Sequence, residues 1–104
     1  MERIDKLKEL LAANPEDSFV QHALALEYIK VNREEEAKAL FLDLLGRDRN
    51  YVGSYYHLAK LLERQGHHHD ALQWYEKGME AARAANDGHA YNELQTAYED
   101  LTDL

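Results

Sequence analysis

The feature that most constrains this chain is a duplication of its middle at a fixed spacing. Leu24, Ala25, Tyr28, Ala37 and Phe41 recur as Leu58, Ala59, Leu62, Ala71 and Tyr75, each 34 residues further on. A period of that length indicates a helical solenoid, in which one hairpin of helices hides its apolar face only when a neighbouring hairpin covers it. The usual work of such an array is to hold another protein.

The apolar spacing is helical throughout and nowhere alternates with the two-residue period of a strand, so the chain is expected to be all-α. Ile4, Leu7, Leu10 and Leu11 mark a first helix over about 2–13, closed by Asn14-Pro15, because proline disfavours helical geometry in the residue before it. A second helix is expected from Asp17 or Ser18, either of which can cap its amides, to Val31. Asn32 is read as the cap of a third helix over about 33–46, with Glu35 reaching back to it as in a capping box. After the polar break Gly46-Arg47-Asp48-Arg49-Asn50, a fourth helix spans about 51–65. Gly66 supplies the left-handed turn into a fifth over about 68–85. Asn86-Asp87-Gly88 then stops the chain before a sixth helix with Tyr91, Leu94, Tyr98 and Leu101 on one side. That last stripe follows Tyr55, Leu58 and Leu62 by 36 residues, so two residues have entered the preceding helix or loop.

These residues resemble the tetratricopeptide repeat, with its signature W-x2-L-G-x2-Y followed by A-x3-F and a proline. Gln21-x2-Leu24-Ala25-x2-Tyr28 with Ala37-x3-Phe41 is one copy, and Tyr55-x2-Leu58-Ala59-x2-Leu62 with Ala71-x3-Tyr75 is a second. Pro15 stands where a preceding repeat would close, whereas Arg49 and Arg83 replace that proline later. The resemblance implies an α-α superhelix of about six antiparallel helices in a single domain over 1–104. Its parts are a half repeat (1–16), repeat one (17–50), repeat two (51–85) and a C-terminal capping helix (86–104). Glu93, Glu99, Asp100 and Asp103, opposite the stripe of the last helix, read as the solvated face of that cap.

In this family the first helix of each hairpin lines a concave groove. Carried onto this sequence, the groove positions are Phe19, His22, Leu26, Ile29 and Lys30, then Tyr56, His57, Lys60 and Arg64. Tyr56 would offer area and Lys60 with Arg64 charge, which suits a peptide with acidic and apolar side chains. The competing account is that Lys60 and Arg64 pair with Glu63 or face water, while Phe19 and Ile29 cover a neighbouring helix. The family's carboxylate clamp for chaperone tails is not reproduced. Its positions would carry His22, Leu26, His57, His89 and Glu93, one of them with reversed charge.

The formal net charge of −8 repels phosphate backbones and anionic lipid, so neither nucleic acid nor membrane is expected as a partner. The chain has no cysteine, and its start lacks the apolar core of a secretory signal. A cytoplasmic location is therefore expected. No phosphate-binding loop, nucleophile elbow or metalloprotease pair is present, and neither catalysis nor a cofactor is expected.

Two other readings are carried alongside an adaptor for an unidentified protein or peptide. In one, the N-terminal end, through Ile4 and Leu7, stacks on a second copy, making the chain a weak homodimer rather than a monomer. In the other, His22, His57 and His89 converge on a transition metal. The run His67-His68-His69-Asp70 is a weaker candidate, because successive helical residues point in different directions.

Overall fold

A computed structural model describes residues 2–103 of the chain. The described residues form six α-helices: α1 (Glu2–Ala13), α2 (Ser18–Lys30), α3 (Glu34–Arg47), α4 (Gly53–Arg64), α5 (His68–Ala84) and α6 (Gly88–Thr102). No strand occurs among them. They group into two compact units, one ending at Asp48 and one beginning at Arg49.

In the first unit α2 is central, with α1 on one side and α3 on the other. Ala25, Ala37 and Phe41 are fully buried and Leu24 is 3% exposed, so the small residues let the helix backbones close while the larger ones fill the remaining space. Ile4 and Leu7 of α1 belong to this core. Leu10, expected on the same face, is 50% exposed. Ile4 and Leu7 are buried and Leu11 half-buried along i, i+3, i+7, and position 10 lies off that stripe. Ile4 and Leu7, the residues through which a second copy was expected to stack, are covered within their own unit.

Gln21 occupies the place where Tyr55 stands in the second unit. It is 3% exposed, and burying an amide is tolerable only because its hydrogen bonds are satisfied. Its Nε2 donates to Asp43 Oδ2 at 2.7 Å and to the Leu40 carbonyl at 3.4 Å, and its Oε1 accepts from the Arg47 guanidinium. Arg47 also donates to the Glu16 carbonyl at 2.9 Å, tying the end of α3 to the start of α2. Asp17 caps α2 by accepting from the Val20 amide at 3.1 Å.

In the second unit α5 is flanked by α4 and α6. Ala59, Ala71, Leu58, Leu61 and Tyr75 are fully buried, and Leu94, Ala97 and Leu101 bring α6 into the same core. The Tyr55 hydroxyl donates to the Arg49 carbonyl at 2.6 Å, which pins the approach to α4. Gly78 marks a close crossing, because a Cβ placed there would lie 2.7 Å from Tyr55 Cβ and 3.1 Å from both Leu94 methyls. In this half the second helix of the hairpin is the longer one, α5 having 17 residues where α3 has 14.

Three of the helix junctions share one geometry. Asn32, Gly66 and Asn86 have φ of 63°, 83° and 56°. At the first, the Asn32 amide donates to the Ile29 carbonyl at 3.1 Å and the Arg33 amide to the Tyr28 carbonyl at 2.8 Å. Gly66 and His67 repeat this onto Glu63 and Leu62, and Asn86 and Asp87 onto Arg83 and Ala82. These are Schellman closures. Asn32 therefore ends α2 and does not begin α3, which corrects its assignment as an N-cap. The N-cap is Arg33, without a side-chain cap bond. Its guanidinium instead lies 4.6 Å from the Tyr28 ring centroid and its Nε donates to Glu36 Oε1 at 2.6 Å. With the helix starting one residue later, Glu36 and not Glu35 occupies the third position, so no capping box forms.

Outcomes for stability follow at three sites, all read by urea unfolding. Asn32→Ala should lose about 1 kcal/mol because a Cβ without a local polar partner is strained at positive φ, while Asn32→Gly should match or exceed the parent. Gly78→Ala should be destabilising by about 1–3 kcal/mol through overpacking against Tyr55 and Leu94. Gly46→Ala, at a helical site with nothing within 4 Å of the new methyl, should instead gain about 0.5 kcal/mol.

Candidate functional site

In the first unit, the five expected groove residues lie on α2. Phe19, His22, Leu26 and Ile29 follow i, i+3, i+7, i+10 and so share a face. Phe19 is 69% exposed, the most exposed large apolar side chain described. His22, Leu26 and Ile29 are half-buried. The His22 ring meets Phe41 edge to face at 5.9 Å, which makes it part of the α2/α3 packing. Lys30 Nζ donates to Glu27 Oε2 at 2.9 Å, and Arg3 of α1 approaches the same oxygen at 3.5 Å. The Lys30 hydrogen bond, with Arg3 assisting, holds the Glu27 carboxyl below the ordinary carboxylate value.

In the second unit, Tyr56 and Lys60 of α4 line an open cleft of about 370 Å³ together with His89, Asn92, Glu93, Thr96, Ala97 and Asp100 of α6. Tyr56 is half-buried, with its ring edge-on to Tyr75 at 6.5 Å and to His57 at 5.8 Å. Lys60 Nζ stands 5.7 Å from the Tyr56 ring centroid and 3.8 Å from Glu63 Oε1. Glu63 in turn accepts from the fully buried Tyr75 hydroxyl at 2.8 Å. Burial, then this bond to a carboxylate, pushes the Tyr75 hydroxyl above its ordinary value, so it stays protonated and keeps donating. The expected i, i+4 pair on α4 thus exists, but its cation is tethered by Glu63 as the competing account held.

His57 sits beside this cleft and is not one of its lining residues. Burial holds its imidazole below the ordinary value, against the Glu93 carboxylate, which favours the charged form. Arg64 is exposed at the end of α4. Across the cleft, His89 Nε2 is 3.5 Å from Glu93 Oε1, both largely exposed. A second cleft, of about 300 Å³, lies at the α5/α6 turn, where Arg83 donates to the Tyr91 hydroxyl at 3.0 Å; none of the expected site residues reaches it.

The α6 wall was not among the expected groove residues. The 36-residue offset already contained it, since Tyr56, His57, Lys60 and Arg64 shifted by that interval are Asn92, Glu93, Thr96 and Asp100. The Glu93 and Asp100 side chains, read as the outer face of a cap, instead line the cleft. Among the described residues no group of three or more His, Cys, Asp or Glu could hold a metal ion, so His22, His57 and His89 do not assemble a ligand set, nor does the 67–70 run. Among the described residues no helix is long and apolar enough to cross a membrane.

A family model described as a tetratricopeptide repeat matches residues 1–54, and another with the same description matches residues 52–84. Among solved structures, a tetratricopeptide repeat domain protein from Salinibacter ruber is 42% identical with a TM-score of 0.83, over 88% of this chain and 92% of its own. The TPR2B domain of yeast Sti1, solved in a pHsp70 complex, has a TM-score of 0.88 over 96% of this chain and 80% of that one. At 20% identity this likeness is one of fold. Interferon-induced protein with tetratricopeptide repeats 3 from Mus musculus is 22% identical over 98 residues, 94% of this chain, and the chain spans 24% of its length. The repeat matches, the six-helix architecture and the Salinibacter relative together place this chain in the tetratricopeptide repeat family.

Proposed function

We propose that the chain is a protein–protein interaction module that holds a peptide segment of a partner protein against the first helices of its hairpins. The observation that carries this reading is the α4/α6 cleft. Equivalent positions of two successive hairpin-opening helices, Tyr56 and Lys60 on one and Asn92, Thr96 and Asp100 on the other, face a single trough. An aromatic face beside exposed amide, hydroxyl and carboxylate groups suits an extended chain, whose backbone needs donors and acceptors and whose side chains need area. In the first unit, considered by itself, α2 carries exposed Phe19 with half-buried Leu26 and Ile29 on the same face. The fold of the Sti1 domain accommodates a protein partner in that case, which supports the reading at the level of fold. Repeat bounds of 17–50 and 51–85 and a cytoplasmic setting belong to the same proposal, the latter supported by a cysteine-free composition.

The test is to obstruct the trough without touching the core. Thr96 is exposed on α6, so Thr96→Trp should leave thermal unfolding unchanged. In affinity capture from source lysate, quantified by mass spectrometry, it should lower recovery of specific partners about tenfold, the scale of losing a central contact. Undiminished recovery would remove the cleft from the function.

A further inference from the structure

The α4/α6 cleft has a charge sense opposite to the one its α4 residues suggest in isolation. We infer that it receives an extended, positively charged peptide segment, with lysine or arginine side chains of the partner meeting the Glu93 and Asp100 carboxylates; this rests on the interaction-module reading above.

The cation on the α4 wall is already met. Lys60 has Glu63 at 3.8 Å and the Tyr56 ring beneath it, and its side chain is only 33% exposed. The α6 wall is anionic and open. No lysine or arginine occurs anywhere in α6, and the groups beside Glu93 are His89 of its own helix and His57 of α4, each charged only when protonated. The Glu93 side chain is 58% exposed. At the offset of 36, the positions Tyr56, Lys60 and Arg64 become Asn92, Thr96 and Asp100, so the third place changes from cation to anion.

The position of Asp100 along its helix points the same way. Carboxylates are unfavourable in the last turn, where the carbonyl end of the helix is itself negative. α6 nevertheless carries Glu99 and Asp100 close to that end, and no basic residue lies in its last turn. A local electrostatic rule is broken there with no compensation inside the helix, as happens where a residue is kept for function. A partner's ammonium or guanidinium on Asp100 would satisfy the carboxylate and the helix terminus together. Thr96 and Asn92, one and two turns back, offer donors and acceptors to the partner's backbone, and the net charge of −8 steers a basic segment inward.

The experiment is a set of 15N-labelled NMR titrations with three capped peptides of one design, alternating alanine with lysine, glutamine or glutamate. The lysine peptide should saturably shift the amides of Tyr56, Glu93, Thr96 and Asp100. Combined Glu93→Gln and Asp100→Asn should weaken it about fivefold, and added salt should weaken it further. Lys60→Gln, which removes a like charge from the cleft wall, should tighten it. All three positions are outside the core, and circular dichroism checks that the variants fold.

Stronger binding of the glutamate peptide at these amides, or loss of the lysine peptide on Lys60→Gln, would overturn the charge assignment while leaving the cleft as a peptide site. Lysine-peptide shifts centred on Glu34, Glu35 and Glu36 of α3, or unchanged by the double substitution, would overturn it as nonspecific attraction. Silence of all three peptides at the cleft would also overturn it, and the interaction-module reading then stands or falls on Thr96→Trp.

Discussion

Close approach of helix backbones is the constraint on which the rest of this structure depends. Ala25 and Ala37 in the first unit, and Ala59 and Ala71 in the second, have no accessible surface at all. A longer side chain at any of them would hold the paired helices apart and open voids around Phe41 or Tyr75, and interiors packed at crystal-like density do not tolerate such voids. Gly78 extends the principle to α5, where even a methyl meets Tyr55 and Leu94. Once the helices are this close, the direction of each groove-facing side chain follows from its place in the 3.6-residue turn.

Within that frame the two units solve equivalent problems with different chemistry. At the opening position of the hairpin, Gln21 satisfies its amide through Asp43, Arg47 and the Leu40 carbonyl, whereas Tyr55 uses an aromatic ring and one hydroxyl bond to the Arg49 carbonyl. The first solution is a polar lattice joining α2 and α3. The second is largely apolar, with the Trp74 ring 6.0 Å from that of Tyr55. The helix junctions show the opposite behaviour, since Asn32, Gly66 and Asn86 adopt one backbone geometry with two residue types. Backbone sterics select the conformation there, and asparagine and glycine are the residues that enter it at least cost.

Electrostatics in the second unit is organised by pairing. Tyr75, kept protonated by burial, donates to Glu63, and Glu63 draws Lys60 toward α4, so the most prominent cation at the cleft is partly spoken for. The carboxylates on α6 have no cation on their own helix. A helix that looks like a solvated lid in isolation becomes, opposite α4, the anionic wall of a trough.

Fold class, helix number and most helix limits were legible in the sequence, because the 34-residue period, helical apolar spacing and the breakers Pro15, Gly66 and Asn86 are local signals. The left-handed role of Asn32 was legible only through its alignment with Gly66; on its own, asparagine suits either end of a helix, and the hydrogen bonds of Arg33 and Asn32 decide between them. Leu10, read from the sequence as sharing a face with Ile4 and Leu7, is exposed instead. Tertiary structure alone decided the rest: that Lys60 is held by Glu63, that Ile4 and Leu7 are covered, that Gly78 is a point of contact, and that Glu93 and Asp100 line a cleft. A sequence specifies which residues share a helix face, since that depends on spacing along one axis. Which helix lies opposite, and so which charges confront each other, depends on packing between segments many residues apart.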